Sequence, residues 1–299
     1  MTRIYDAQIG ARARDMLSRD ARLTVVAVHS ESVYACGEEG RLLLLCPDKY
    51  GSVPFGVSVS EYFHLRENYS FSVGDELVIE KGEILCPCGD RIILSERETC
   101  STGRSNDSIP DAARVFYCAE YVRQHASERG IGPALPAFLC IAPPLDTANA
   151  YALSAVCEAD RFESAFLCGD TSALDHAVGR FVGLGYGLTP SGDDFLCGML
   201  YAFHRYSRVS DRSEQYLCLL SDSVERHVCD TNKVSAEYIR CALDGEYFEV
   251  VEDVFDSLHS FDKSNIHKLE TALSRLLAVG ASSGSDILCG ILFAVYLLW

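Results

Sequence analysis

The 299-residue sequence predicts an α+β chain, with an N-terminal small antiparallel β domain followed by a mostly α-helical C-terminal domain. Two contrasting periodicities carry that expectation. Short β-type runs separated by turn residues fill residues 20–98, and from Ala112 onward apolar residues recur three and four apart. Between the two textures lies ETCSTGRSNDSIPD, residues 98–111, polar and turn-rich, which reads as a linker. The expected domains are 1–105 and 106–299, each long enough for its own core; 48% hydrophobic against 23% charged residues agrees with compact folding.

Residues 5–19 have mixed helical character. The candidate strands follow: LTVVAVHS, SVYAC, RLLLLC, ELVIE, EILC and RIILS, with GEEG, VGD, EKGE and CGD as turns, a spacing that suits a small antiparallel sheet or barrel. Helical periodicity then marks AARVFYCAEYVRQHA, ALSAVCEADRFESAFLC, SALDHAVGRFVG and EQYLCLLSDSVERHV. The closing ILCGILFAVYLLW is apolar but shorter than the about 20 residues that span a bilayer, and reads as a buried helix.

Forty-three acidic against 26 basic residues give a net charge of -17, which repels nucleic acid and anionic membrane surfaces. A small anionic metabolite remains an expected partner, because a pocket of backbone N–H groups binds phosphate or carboxylate inside an acidic protein. Fourteen cysteines fall singly in apolar stretches, with no CxxC pair. Free buried thiols in a reducing cytoplasm are the preferred reading, with a disulfide or metal at the CPCG turn (Cys86, Cys88) as the alternative. The N-terminus has no apolar core of the secretory kind, so the expected location is cytoplasmic.

The chemistry concentrates in GLGYGLTPSGDDFLCG, residues 183–198, part of which recurs. Residues 191–202, SGDDFLCGMLYA, and 283–294, SGSDILCGILFA, are identical at eight of twelve positions. Each copy predicts a helix with Ser191 or Ser283 as N-cap and Asp194 or Asp286 in the first turn. Leu196, Leu200 and Phe203 form an apolar stripe, matched by Leu288, Leu292 and Val295. Gly198 and Gly290, costly inside a helix, predict close packing of the two helices, which brings their N-terminal loops to one side.

A plain helix start and a part in the site are both open readings of the second copy, but capping does not explain the alternation of Gly183, Gly185 and Gly187 before Thr189 and Pro190 in the first. Glycines there let successive N–H groups face a phosphate or carboxylate. Asp193 beside Asp194 suits a Mg²⁺ ion that mediates, or a carboxylate that orients an amide or ammonium group; a solvated capping role for Asp193 is the alternative. In CDTNKVSAEYIRCALDGE, residues 229–246, Thr231 or Asn232 caps a helix whose Ser235, Ile239 and Leu243 share a face, and Ser235 is either a packing residue or part of the site. Lys233 and Arg240 are the nearest cations in that segment, or solvated surface charges. The eight histidines show no metal-ligand spacing, and His204 is the one nearest the motif in sequence.

GLGYGLTPSGDDFLCG, TNKVSAEYIRCALDGE and GASSGSDILCGIL, in that order from about Phe181 to Leu292, resemble the bacterial AllH-like family. The resemblance implies a subunit of oxamate carbamoyltransferase, acting on carbamoyl phosphate and oxalurate in anaerobic purine or allantoin breakdown within a multi-subunit assembly. Ala281 stands where that pattern leads one to expect a histidine, as in GHSSG. The implied site places Asp193, Asp194 and Asp286 in the chemistry, with Gly183, Gly185, Gly187, Thr189, Ser191, Gly192, Thr231, Asn232, Ser235, Ser283 and Gly284 around the substrate and its phosphate. No cofactor is demanded, and Mg²⁺ is the metal the carboxylates would suit. The alternatives are a non-catalytic metabolite-binding or scaffolding subunit and a Mg²⁺-dependent phosphotransferase.

Overall fold

Along Ile4–Ile9, buried Tyr5, Ala7 and Ile9 alternate with outward Ile4, Asp6 and Gln8, the period-two pattern of a strand. The computed structural model describes residues 3–19, 21–37, 40–95, 108–141, 149–261 and 265–299, and in it this segment is β1. The helix expected over 5–19 is confined to α1, Ala11–Leu17. Tyr5, Ile9 and Ala13 also fall four apart, so the sequence satisfied both periods; pairing with other strands decided for β.

The remaining strands are β2 (Ala21–Val28), β3 (Val33–Cys36), β4 (Leu42–Pro47), β5 (Gly56–Val59), β6 (Glu76–Glu80), β7 (Glu83–Leu85) and β8 (Arg91–Ser95). They close into a barrel in the order β1-β5-β4-β3-β2-β6-β7-β8. The β1–β8 and β4–β5 pairings are parallel, with Ile4 opposite Arg91 and Leu44 opposite Gly56, and the other pairings are antiparallel. The expected small antiparallel β domain is thereby corrected to a closed eight-strand barrel of mixed pairing. Hairpin spacing reveals only sequence neighbours, and both parallel pairings involve β1 or β5, the strands it did not reveal. The segregated α+β class stands.

Inward side chains of the strands, among them Leu23, Val25, Leu43, Val57, Leu77, Ile84 and Ile92, fill the barrel. Ala13 and Leu17 of α1, with Tyr62 and Leu65 of α2 (Tyr62–Asn68), belong to the same core.

The chain then becomes helical: α3 (Ala112–His125), α4 (Leu135–Phe138), α5 (Ala150–Cys168), α6 (Thr171–Phe181), α7 (Ser191–Tyr206), α8 (Asp211–His227), α9 (Lys233–Leu243), α10 (Glu249–His259), α11 (Ile266–Leu277) and α12 (Ser283–Leu297). Two compact units result, Met1–Ser101 with Tyr247–Val250, and Thr102–Glu246 with Val251–Trp299. The expected boundary at 105/106 and most of the expected linker lie outside the described residues.

Every residue of α7 is buried, as are nearly all of α12. The expected apolar stripes are thus parts of helices surrounded on all sides. Among the described residues no helix is long and apolar enough to cross a membrane. The described cysteines are free, but only Cys46, Cys86, Cys118, Cys197, Cys241 and Cys289 are buried; Cys88, Cys140, Cys157, Cys168, Cys218 and Cys229 are exposed.

Candidate functional site

The duplication is larger than the twelve-residue match. In each copy a helix ends, a loop follows, and the glycine at the second position of the next helix lies against the end of the helix before it. A Cβ on Gly192 would sit 2.0 Å from the Phe181 carbonyl oxygen, and one on Gly284 would sit 1.7 Å from that of Leu276. Helices α6 and α7 thus repeat as α11 and α12, and the first connecting loop is four residues longer.

The two second helices cross at their other glycines. A Cβ on Gly198 would lie 2.1 Å from Ile287 O, and one on Gly290 would lie 2.0 Å from Phe195 O. This is the close approach expected from the sequence. It places both loops together, and the Thr189 and Ser283 hydroxyls are 2.9 Å apart.

Helices α3, α5, α6, α8 and α9 begin under the side-chain caps Asp111, Asn149, Asp170, Ser210 and Asn232. Helices α7 and α12 do not. Their N-caps are Pro190 and Ser282 with no side-chain bond, and Ser191 and Ser283, expected as caps, are already the first helical residues. The reason is a crossed arrangement: the Ser191 hydroxyl favours the charged form of Asp286 on the other helix, and Ser283 does the same for Asp194.

Gly183, Gly185 and Gly187 have φ of 74°, 128° and 96°, so all three occupy conformations that L side chains rarely adopt. Leu184 N–H donates to Phe181 O and Gly192 N–H to Leu184 O, which folds the loop back over the start of α7. A Cβ on Gly185 would lie 2.6 Å from Ser191 N, so glycine keeps that amide open. Among the described residues the N–H groups of Gly185, Tyr186, Gly187, Leu188, Ser191 and Ser283 have no acceptor. Tyr186 is 85% exposed at the loop tip, and its ring meets that of Tyr151 edge-on at 5.0 Å.

Asp193 is fully engaged. Its Oδ1 accepts from Gly183 N–H at 2.8 Å, and its Oδ2 accepts from the hydroxyls of Thr231 at 2.5 Å and Ser235 at 2.6 Å. Burial pushes its pKa up against those three bonds. Asn232 caps α9 through Val234 and Ser235 N–H. Asp193, Thr231, Asn232 and Ser235 therefore tie the glycine loop to α9. Asp193→Ala is expected to lower stability by about 2 kcal/mol, since it leaves three donors to find new acceptors; a urea titration coinciding with wild type would show that the loop is held otherwise.

Asp194 and Asp286 are different. Both are buried, and among the described residues Oδ2 of each has no hydrogen-bond partner. Burial, reinforced by the neighbouring Asp286, holds the Asp194 pKa well above the usual carboxylate range. Burial also raises that of Asp286 to about 6, opposed by Ser191, Ser282 and the N–H groups of Ile131 and Gly132. Ile131 N–H donates to Asp286 Oδ1 at 2.5 Å, and a Cβ on Gly130 would lie 2.2 Å from that oxygen. Asn149, besides capping α5, donates to the carbonyls of Glu128 and Gly130.

The segment 128–132 did not stand out in the sequence. The available signal was RGIGP, two glycines around one residue before a proline.

Other singled-out residues lie elsewhere. His204 Nε2 is 3.0 Å from Leu243 O, near the C-terminal end of α7. Arg240 is exposed and pairs with Glu237 at 3.6 Å, and Lys233 is exposed at the start of α9. Among the described residues no three His, Cys, Asp or Glu side chains are grouped to hold a metal ion.

The architecture defines a class: a duplicated helix–loop–helix unit whose two uncapped helix N-termini converge beside a buried carboxyl pair. Residues 181–295 match the model of the family described as oxamate carbamoyltransferase subunit AllH, a span containing α7, α9 and α12 as far as Val295. No solved structure matches the chain.

Proposed function

We propose that the converged N-termini of α7 and α12 bind a small anion carrying phosphate or carboxylate, and that the chain is a subunit of a carbamoyltransferase acting on carbamoyl phosphate and oxamate. The observation that carries the reading is the set of acceptor-free N–H groups at residues 185–188, Ser191 and Ser283, at two helix starts that lack side-chain caps. Such groups, with the helix dipoles behind them, hold anions even in a protein of charge -17. The name of the matched family supports the substrate class and adds partner subunits to the proposal.

In this reading Gly185, Gly187, Thr189, Ser191 and Ser283 touch the anion. Gly183, Gly192, Asp193, Thr231, Asn232, Ser235 and Gly284 hold the loops in shape, and Asp194 and Asp286 face the uncharged part of the substrate. Asp193 has both oxygens occupied, so the reading includes no step through Mg²⁺.

Calorimetric titration of the purified chain with inorganic phosphate and with carbamoyl phosphate tests it. Gly185→Ala is expected to weaken phosphate binding by about tenfold or more, because the added carbon crowds Ser191 N and disfavours the positive φ. Unchanged affinity in a folded variant would remove the loop from the site. A metabolite-binding subunit without catalysis is favoured by one observation: Ala281 gives the second loop no ionisable group at the position of Thr189 in the first. Oxamate-dependent phosphate release by the chain alone would decide for catalysis.

A further inference from the structure

We propose that Asp194 and Asp286 act as one proton-sharing carboxyl pair that binds the amide nitrogen of the substrate and accepts the proton this nitrogen sheds on carbamoylation. The inference rests on the anion-site reading above and adds to it the group that handles the proton.

Each carboxyl is the fourth residue of its helix in equivalent copies of the repeat, and each is reached by the first serine of the other helix, which makes the two neighbours. Among the described residues neither Oδ2 atom, both buried, has a partner, whereas every other oxygen of the first-turn carboxylates is satisfied or faces a hydroxyl. Asp286 is aimed by Ile131 N–H, and Gly130 leaves room for its carboxyl group.

The groups acting most strongly on Asp194 are Asp286, Ser283, Asp193 and Thr189. On Asp286 they are the Ser191 and Ser282 hydroxyls and the Ile131 and Gly132 amides, and from the interior Cys197, Cys289 and Tyr201 face the pair. No lysine, arginine or histidine is among them. Two buried like charges without a cation retain one proton between them, as a carboxylate and a carboxylic acid.

Such a pair offers one acceptor and one O–H donor, complementary to an amide. With the acceptor-free N–H groups of Ser191 and Ser283 at the starts of the same two helices, the ligand class is an anion bearing a primary amide, to which both oxamate and carbamoyl phosphate belong. In the transfer step the oxamate nitrogen attacks the carbamoyl carbon and a C–N bond forms. The C–O bond to phosphate breaks with its electron pair on the phosphate oxygen. The proton leaving nitrogen passes to the ionised carboxylate, and the pair returns a proton to phosphate, which departs as hydrogen phosphate. A carboxylate that served only to complement the helix dipole would need neither an open oxygen nor a like-charged neighbour.

The test uses the full chain with its partner subunits for turnover and the chain alone for calorimetry with inorganic phosphate and oxamate, in buffers of different ionisation enthalpy between pH 5.5 and 8. Wild type is expected to bind oxamate with a buffer-dependent heat, the sign of a proton exchanged on binding. Asp194→Asn is expected to bind phosphate still, to lose the buffer dependence, and to lose turnover by about 10²-fold or more. Asp286→Asn should behave alike, and the double variant should lose little further. Wild-type turnover in Asp194→Asn, or a buffer-dependent heat surviving in the double variant, would overturn the pair while leaving the anion site intact. Wild-type chain that binds neither phosphate nor oxamate would overturn the anion-site reading, and the pair with it.

Discussion

Gly290→Ala is expected to destabilise the helical unit by about 4 kcal/mol or more, a large part of the total stability of a domain. The added carbon would lie 2.0 Å from Phe195 O and 2.9 Å from Met199 N, both backbone atoms of a fully buried helix. Side chains give way by changing rotamer, whereas a helix backbone moves only as a whole. Moving α12 aside at this point would strain the matching contact, where Gly198 meets Ile287 O at 2.1 Å in the same geometry. Ordinary overpacking of side chains costs about 1–3 kcal/mol, and backbone against backbone has less room to relax. Thermal unfolding followed by circular dichroism should show a loss of about 10 °C or more, or a protein that does not accumulate. A midpoint within error of wild type would mean that the helices do not meet at these glycines.

Asp286→Asn is expected to do the reverse and raise stability at neutral pH by about 3 kcal/mol. The carboxyl pKa rises from 3.8 in the reference state to about 6 when folded, mainly through burial, and each unit corresponds to about 1.4 kcal/mol. The folded protein therefore binds more protons than the unfolded chain between about pH 4 and 6, so stability falls as pH rises through that window. Asp194, held higher, extends the decline above it. Asp75 and Asp175, lowered by Tyr69 and Arg226, act in the opposite direction, which is why the difference between wild type and variant is the quantity to follow. The expected result is a difference near zero at pH 4 that favours the variant progressively towards pH 7. A variant less stable than wild type at pH 7 would show that Asp286 is held ionised by its hydroxyl and amide neighbours. Stability gained together with turnover lost is the pattern of a group kept for chemistry at the expense of the fold.

The helical unit was largely legible in the sequence. Most of its helices are 11 residues or longer, and α9 starts at Lys233 under Asn232, one of the two caps expected there. Gly198 and Gly290 were informative because a glycine inside a helix is unfavourable unless something fills the missing side chain's place. The barrel was less legible. The strand β5 is four residues long, and β1 satisfies helical and strand periods alike.

Within the site, the glycine alternation was readable, since three positive φ angles leave few other residues acceptable. The roles of its carboxylates were not. Asp193 and Asp194 are adjacent in the chain, yet one is saturated by Gly183, Thr231 and Ser235, whereas the other meets Asp286 from the second repeat with an oxygen left open.

What the sequence determined by itself is what depends on near neighbours or on self-comparison: helix and loop periods, glycine positions, and the duplication of S-G-x-D. Tertiary structure alone decided which strands close the barrel, that Ser191 and Ser283 reach across instead of capping, and that Ile131 presents its amide to Asp286 from 155 residues away. A periodic pattern records which face of an element is buried but not which distant backbone will cover it. The identity of that partner is settled only when all the elements pack together.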